Sequence, residues 1–340
     1  MIEGQRIQNS IPEVSICIPT YNRLAQLKEA LDSCFAQTFT NYEIAITDNS
    51  DNNITFEYIK SLGRQNIRYY KNSENIGPVK NFALSIEKGI GPFIKPLMDD
   101  DILHPTALDE MVSAMRSHSS AGVVMAPLTI IDSLGKSIDF RAYLIKKIKI
   151  LYRYRTKSQL IPAHIILDDF LTREYPCCIP SGLMYRKECF DRLGPIDPAV
   201  KFIVDVDICA RFATKYDFYY IDKPLASWRY SELSHTVVNL HQKGQDTVAY
   251  YSLTEKLCAD PGVLSQYSLT EIPRLKKRAY FFASKRAVLS IIAGVRSRNP
   301  GLVLQTCRLM KKHDPYPSNL FLLPFNIMGE VMKAALSWFR

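Results

Sequence analysis

Several signatures that would settle the class of this 340-residue chain are missing from it. No stretch offers the roughly 18 uninterrupted apolar residues of a membrane-crossing helix, which argues against an integral helical membrane protein. The opening "MIEGQRIQNSIPEV" is polar, with no apolar run behind a basic stretch, so a secretory signal is not expected. No internal repeat or low-complexity tract is visible, which excludes solenoids and biased linkers. Paired cysteines are missing as well. Of eight cysteines, Cys17, Cys34, Cys189, Cys209, Cys258 and Cys307 stand alone and Cys177 and Cys178 are adjacent, a spacing that suits neither a zinc knuckle nor a disulfide framework. They read as small buried hydrophobes in a reducing compartment, so the chain is expected in the cytoplasm.

What is present is a soluble globular composition, 47% hydrophobic, with an uneven charge. The formal net charge is +9, yet residues 268–340 hold thirteen lysines and arginines against Glu271, Asp314 and Glu330. The stretch "RAYLIKKIKILYRYRTKSQL" (141–160) adds seven bases and no acid, which leaves the rest of the chain net acidic. The basicity thus belongs to two segments.

The first 130 residues alternate strand and helix. "VSICIP" (14–19), "YEIAIT" (42–47), "NIRYYKN" (66–72), "FIKPLM" (93–98) and "AGVVMAP" (121–127) have strand character. Between them, "RLAQLKEALDSCFAQ" (23–37) repeats Leu24, Leu27, Leu31 and Phe35 at helical spacing. Further helices are expected at 55–63, from Pro78 to Lys88, and from Pro105. Such alternation predicts an α/β fold, a mainly parallel sheet with helices on its faces. From 160 to 235 the pattern is mixed: helices at 162–173, 187–194 and 204–213, strands at 181–186 and 217–222. Beyond 240 only helical patterning remains. Ligands of such sheets bind beyond the carboxyl ends of the strands, and there the polar clusters gather: "PTYN", "DNSDN" and "DDD". Three consecutive aspartates at a strand end leave two readings open: a divalent cation held by their oxygens, or a solvated turn that starts the next helix before Pro105.

Taken in order, "VSICIPTYNR", "SCFAQTFTNYEIAITDNSDN", "NIGPVKNFALSI", "MDDDILHP", "SGLMYRKECFDRLGPID" and "VDVDICARF" resemble family 2 glycosyltransferases of the GT-A fold over residues 13 to 235. The resemblance implies a GT-A, Rossmann-like catalytic domain over 1–238, its nucleotide-sugar half at 1–130 and its acceptor half at 131–238. A helical, basic region would occupy 239–340. It implies transfer of a sugar from a nucleotide-sugar donor, inversion at the anomeric carbon, and a divalent metal, Mn²⁺ or Mg²⁺. Pro19, Thr20, Tyr21 and Asn22 would cradle the base and Asp48 would accept a hydrogen bond from it. By alignment on "ILHP", Asp99 falls on the ribose side and Asp100 on the metal, with Asp101 in support. Lys80 stands where some relatives place a base near the diphosphate; a solvated helix lysine is the other reading.

The general base that takes the acceptor's proton is expected at Asp205, with Val204 where relatives carry Glu and Arg211 six residues on; Asp207 is the alternative. Arg229 and His235, in "WRYSELSH", are candidates to close over the donor phosphates or the metal. Ser181, Gly182 and Asp197 fall where the family shapes the acceptor pocket, although Gly182 could serve only close packing. A nucleotidyltransferase on a related fold would want a glycine-rich loop after the first strand, and "PTYNR" is not one. A non-catalytic binding protein would have little use for the intact aspartate run. The basic segments, with "NLFLLPFNIMGEVMKAALSWFR" at the end, read as amphipathic helices lying on an anionic membrane, Trp338 and Phe339 at headgroup depth. No nucleic-acid module is recognisable, so nucleic acid is not an expected partner. The expected location is the cytoplasmic face of the inner membrane. By the same resemblance the acceptor would be a polyprenyl-diphosphate-linked glycan of O-antigen or another surface polysaccharide.

Overall fold

The computed structural model describes residues 11–138, 157–172, 179–194, 196, 200, 203–230, 245–296 and 298–316. The chain forms two compact units, one comprising Met1–Ile166, Pro176–Ala199 and Val204–Tyr230, the other Leu167–Tyr175, Val200–Ile203 and Ser231–Arg340. Most of the basic stretch 141–160, all of 317–340, and the candidates Asp197 and His235 lie outside the described residues.

The chain order begins β1 (Val14–Thr20), α1 (Leu24–Phe35), β2 (Tyr42–Asp48), α2 (Ile54–Ser61), β3 (Ile67–Lys71), α3 (Pro78–Lys88) and β4 (Phe93–Pro96). It continues with β5 (Ile102–Leu103), α4 (Ala107–Ser117), β6 (Ala121–Met125), β7 (Leu128–Ile131), β8 (Gln159–Ile161) and α5 (Ala163–Thr172). A 3₁₀ turn at Pro180–Gly182 leads into β9 (Leu183–Arg186), α6 (Glu188–Leu193), α7 (Val204–Phe212), β10 (Asp217–Tyr220) and β11 (Ala226–Arg229). Among the described residues the second unit supplies α8 (Gln245–Ala259), α9 (Pro261–Leu264), α10 (Ile272–Arg296) and α11 (Pro300–His313).

The main sheet has eight strands in the order β3-β2-β1-β4-β9-β6-β10-β8. The β1–β2, β2–β3, β1–β4 and β6–β10 pairs are parallel. β9 runs antiparallel to both β4 and β6, and β8 is an antiparallel edge on β10. All seven residues of β1 are buried, as a strand covered by helices on both faces requires. α1 turns Leu27, Ala30, Leu31 and Cys34 onto that sheet. α3 starts on Gly77, whose φ of 84° suits glycine, followed by Pro78 in the first turn, where a missing N–H costs nothing. A second, three-stranded sheet, β5-β11-β7, has no counterpart in the sequence reading.

Register decides where functional groups collect. Thr20 pairs with Asp48, and Asp48 with Lys71, so β1, β2 and β3 finish level with one another. Leu97 donates its N–H to the Cys17 carbonyl at 3.0 Å, which keeps the chain beside β1 as it leaves β4 for the aspartates. β10 runs in the same sense as β1, because two antiparallel steps through β9 restore direction. α7 leads into β10 through a short connection and therefore runs back against the strands, with its N-terminus at their carboxyl edge.

The second unit has its own core, in which Tyr251, Ala283, Ala287, Val288, Ile292 and Met310 are buried together. Its helix starts follow capping chemistry: Asp260 accepts from Val263 N–H at 3.0 Å, Asn299 accepts from Leu302 N–H at 3.1 Å, and proline follows each cap. No helix among the described residues is long and apolar enough to cross a membrane. The described cysteines are free, all buried except Cys307.

Candidate functional site

The loop between β4 and β5 carries Asp99, Asp100 and Asp101, and the fold gives each a different environment. Asp99 is buried; it accepts from the Thr20 hydroxyl at 2.8 Å and from Arg23 Nη1 at 3.4 Å. Asp101 is fully buried and accepts from the Arg229 backbone N–H at 2.9 Å and from the Ser181 hydroxyl. Asp100 is the accessible member, its side chain 20% exposed and paired with Arg23 Nη1 at 2.8 Å. Burial first, and the Asp100 charge second, push the Asp99 and Asp101 carboxyls well above the usual carboxylate range. Beneath them Lys95 is wholly buried; it donates to the carbonyls of Pro96 at 2.7 Å and Ser181 at 2.8 Å, and desolvation lowers its pKa to about 7.

The ends of β1 and β2 are locked by side-chain amides. Asn81 on α3 donates to the Thr47 carbonyl at 3.0 Å and the Thr20 carbonyl at 3.3 Å. Asn72 donates to the side-chain oxygens of Asn49 at 2.6 Å and Asn81 at 2.9 Å, and Asn49 donates onward to the Gly77 carbonyl. Asp48 is fully buried; it accepts from Ser50 N–H at 2.7 Å and Tyr69 hydroxyl at 2.6 Å, and Lys71 Nζ stands 3.8 Å away. Pro19 lies in the buried strand; beyond it Tyr21 is 44% exposed and its hydroxyl donates to Asp51 at 3.3 Å. Asn22 adopts a φ of 51° and donates its N–H to Ser50 Oγ at 2.8 Å. Lys80, in the first turn of α3, is exposed.

On α7 the two carboxylates separate clearly. Asp207 is buried and bound by Arg211 Nε at 3.1 Å, an i,i+4 pair whose guanidinium also donates to the carbonyls of Leu193 and Gly194. Asp205, in the first turn, is only partly covered. Its burial raises the carboxyl pKa to about 6, against the opposing pull of backbone N–H groups.

The structure therefore brings Thr20, Asp99, Asp100 and Arg23 into direct contact, and places Asp48 and Asp205 at the same sheet edge. It places other candidates differently. Arg229, expected over the donor phosphates, is 5% exposed; it donates to the Asp100, Asp132 and Ser133 carbonyls and to Glu29 Oε2 at 2.6 Å. Ser181, expected toward an acceptor, is buried beneath Asp101 and also accepts Met98 N–H at 3.1 Å. Gly182 packs closely: a Cβ there would meet the Ala126 carbonyl oxygen at 2.8 Å. Sequence reasoning missed Arg23, Lys95, Asn72 and Asn81. A base directly after the first strand end was the available signal for Arg23; the others depend on folding.

Among the described residues no group of three or more metal-ligating side chains is preassembled. The chemistry nevertheless suits a divalent cation. Asp100 is an accessible oxygen donor, and the crowding that raises Asp99 and Asp101 is what added positive charge would relieve. Such a site fits an ion whose shell is completed by substrate phosphates rather than by a protein cage.

The family model described as "Glycosyl transferase family 2" matches residues 15–194, over half the chain. An uncharacterized glycosyltransferase of Rickettsia typhi, RT0329, is 24% identical over 306 residues, covering 90% of this chain and 91% of that one. The abequosyltransferase RfbV of Salmonella typhimurium is 39% identical over 101 residues, 28% of this chain and 30% of its own length. Among solved structures, the mannosyltransferase PcManGT of Pyrobaculum calidifontis, in complex with GDP-Man and Mn²⁺, aligns with a TM-score of 0.52. That alignment covers 98% of this chain and 89% of that one at 13% identity, and so speaks to the fold alone.

The unequal surroundings of the aspartates give unequal costs of removal. Asp101→Ala strands the Arg229 N–H and the Ser181 hydroxyl in the interior and lowers stability by about 1–3 kcal/mol. Asp100→Ala loses one partly exposed ion pair and costs under about 1 kcal/mol. Denaturant unfolding of both variants checks this; equal losses would contradict the division of labour.

Proposed function

Because this chain belongs to glycosyl transferase family 2 and has its GT-A architecture, we propose that it moves a sugar from a nucleoside-diphosphate donor to a glycan acceptor, inverting the anomeric carbon. The observation that carries this reading is the Thr20–Asp99–Asp100–Arg23 corner at the strand ends, one accessible carboxylate among buried ones. Asp99 takes the ribose side, and Thr20 orients it. Asp100 holds the divalent cation, Mn²⁺ or Mg²⁺, which when bound offsets the negative charge of the diphosphate. Asp48, fixed by Tyr69 and Ser50, shapes the base cradle with the exposed Tyr21 ring.

Asp205 acts as general base. A pKa of about 6 leaves it ionised at neutral pH yet basic enough to share a proton in the transition state. It takes the proton of the acceptor hydroxyl as that oxygen attacks the anomeric carbon, and the bond to the diphosphate breaks on the opposite face. Asp207 is unsuited to the task because its charge is spent on Arg211. The acceptor is read as a polyprenyl-linked glycan of bacterial surface polysaccharide. The partial match to an abequosyltransferase and the basic second unit support that reading. Arg274, Lys277 and Arg278 are exposed at the start of α10; on α11, Leu304, Arg308 and Lys311 share one exposed face at spacings of four and three. That face suits an anionic lipid surface.

Four measurements test the proposal. Calorimetry with nucleoside diphosphates shows Mn²⁺-dependent binding of one nucleotide, abolished in Asp100→Asn; binding of none overturns the donor site. Wild-type kcat/KM falls as pH drops through about 6, where Asp205 gains its proton. Asp205→Asn loses about 100-fold or more in kcat at neutral pH without lowering the melting temperature, since the charge it removes is one that burial disfavours. In sedimentation with vesicles, phosphatidylglycerol retains the protein and phosphatidylcholine does not. Reversing Arg308, Lys311 and Lys312 to Glu weakens that retention at least about tenfold; equal binding to neutral vesicles would contradict the docking face.

A further inference from the structure

Arg23 is the cation in hydrogen-bond reach of the Asp99–Asp100 pair among the described residues. Its Nη1 lies 2.8 Å from Asp100 Oδ2 and 3.4 Å from Asp99 Oδ1. The other nearby bases are engaged elsewhere. Arg229 directs its guanidinium to Glu29 and to three backbone carbonyls, Lys95 donates to the carbonyls of Pro96 and Ser181, and Lys71 pairs with Asp48. Arg23 is also 41% exposed at the mouth of α1, unlike the buried supports below it. It lies where the aspartates are open and binds the oxygen atoms an oxygen-seeking cation would use.

A guanidinium and a divalent ion cannot share the same carboxylate lone pairs. A metal arriving alone must break the Arg23 pair, and it returns a guanidinium to water with no new partner. A metal arriving with a diphosphate meets a different balance. Phosphate oxygens accept bidentate hydrogen bonds from arginine at least as well as carboxylates do, so the displaced side chain gains a partner of the same kind. Resting on the donor-site reading above, we infer that Arg23 is a tethered counter-cation that makes metal binding conditional on the donor diphosphate. It holds Asp99 and Asp100 together in the donor-free protein and yields them only when metal and diphosphate arrive together. Arg23 is thereby a binding-order determinant, not a catalytic residue.

The opposite expectation follows if Arg23 merely braces the start of α1 or simply adds affinity for the nucleotide. Its loss would then leave metal affinity unchanged or reduced. The sign of the effect separates the two.

The experiment is a Mn²⁺ titration of the full chain followed by electron paramagnetic resonance of the free aquo ion, first without nucleotide. Arg23→Gln keeps the length and polarity of the side chain and removes its charge. It binds Mn²⁺ alone about tenfold tighter than wild type, the equivalent of one partly buried charge-assisted pair. Arg23→Lys keeps the charge on a shorter, more strongly hydrated ammonium; it binds with intermediate affinity and decides the matter if Arg23→Gln does not fold. On adding the nucleoside diphosphate found by calorimetry, Mn²⁺ affinity rises several-fold more in wild type than in Arg23→Gln. Metal-alone affinity equal to or weaker than wild type in the folded variants overturns the inference while leaving the donor site standing. If neither wild type nor variants bind Mn²⁺ with any nucleoside diphosphate, the donor-site reading falls, and the role of Arg23 with it.

Discussion

Three adjacent carboxylates at the end of a buried strand are an electrostatic burden that the first unit is arranged to carry. Crowded and desolvated, Asp99 and Asp101 resist ionisation. Their partners come from distant parts of the chain: Thr20 from the end of β1, Ser181 from the turn before β9, and the Arg229 backbone from β11. The antiparallel insertion of β9 between β4 and β6 is what brings Ser181 beneath the aspartates. The small β5-β11-β7 sheet is what presents the Arg229 N–H to Asp101. Both departures from a plain parallel sheet therefore serve the same corner.

The regular part of this architecture was legible in the sequence because it is coded locally. β1 is a continuous apolar run, α1 repeats its leucines at helical spacing, and both fall where the patterns put them. The second sheet was not legible, since β5 has two residues and β7 and β11 four each. Strands so short are held by partners more than ninety residues away rather than by any pattern of their own. The reversed sense of β9 is likewise a property of pairing. Locally, "SGLMYR" reads the same in either direction.

The same distinction runs through the site. That Asp48 and Asp99–Asp101 end strands could be read from order alone. Which aspartate stays open could not, because Ser181 and Arg229 decide it across 80 and 128 positions. Arg229 shows a difference of another kind: its motif suggested a phosphate ligand, and the fold makes its side chain a post joining α1, the aspartate loop and the 132–133 turn. The different surroundings of Asp205 and Asp207 did have a local clue. Asp207 and Arg211 stand at i,i+4, the spacing of a helical ion pair, and the structure makes that pair.

The kinds of partner matter as much as their number. Asp99 and Asp101 are held largely by hydroxyls and a backbone N–H, which satisfy lone pairs without cancelling charge. Lys95 does not close the deficit, because burial lowers its own pKa to about 7 and its hydrogen bonds go to carbonyls. In a corner compensated in this way, fixed neutral donors hold the buried carboxylates and Asp100 is left as the accessible one. Had buried arginines been used instead, the carboxylates would be neutralised permanently and an incoming ion would gain little. The fixed dipoles set the shape of the corner; the exchangeable charge sits at its open side, on an exposed arginine. That separation leaves the exchangeable ion pair on the open side of a corner whose buried members are held by neutral donors.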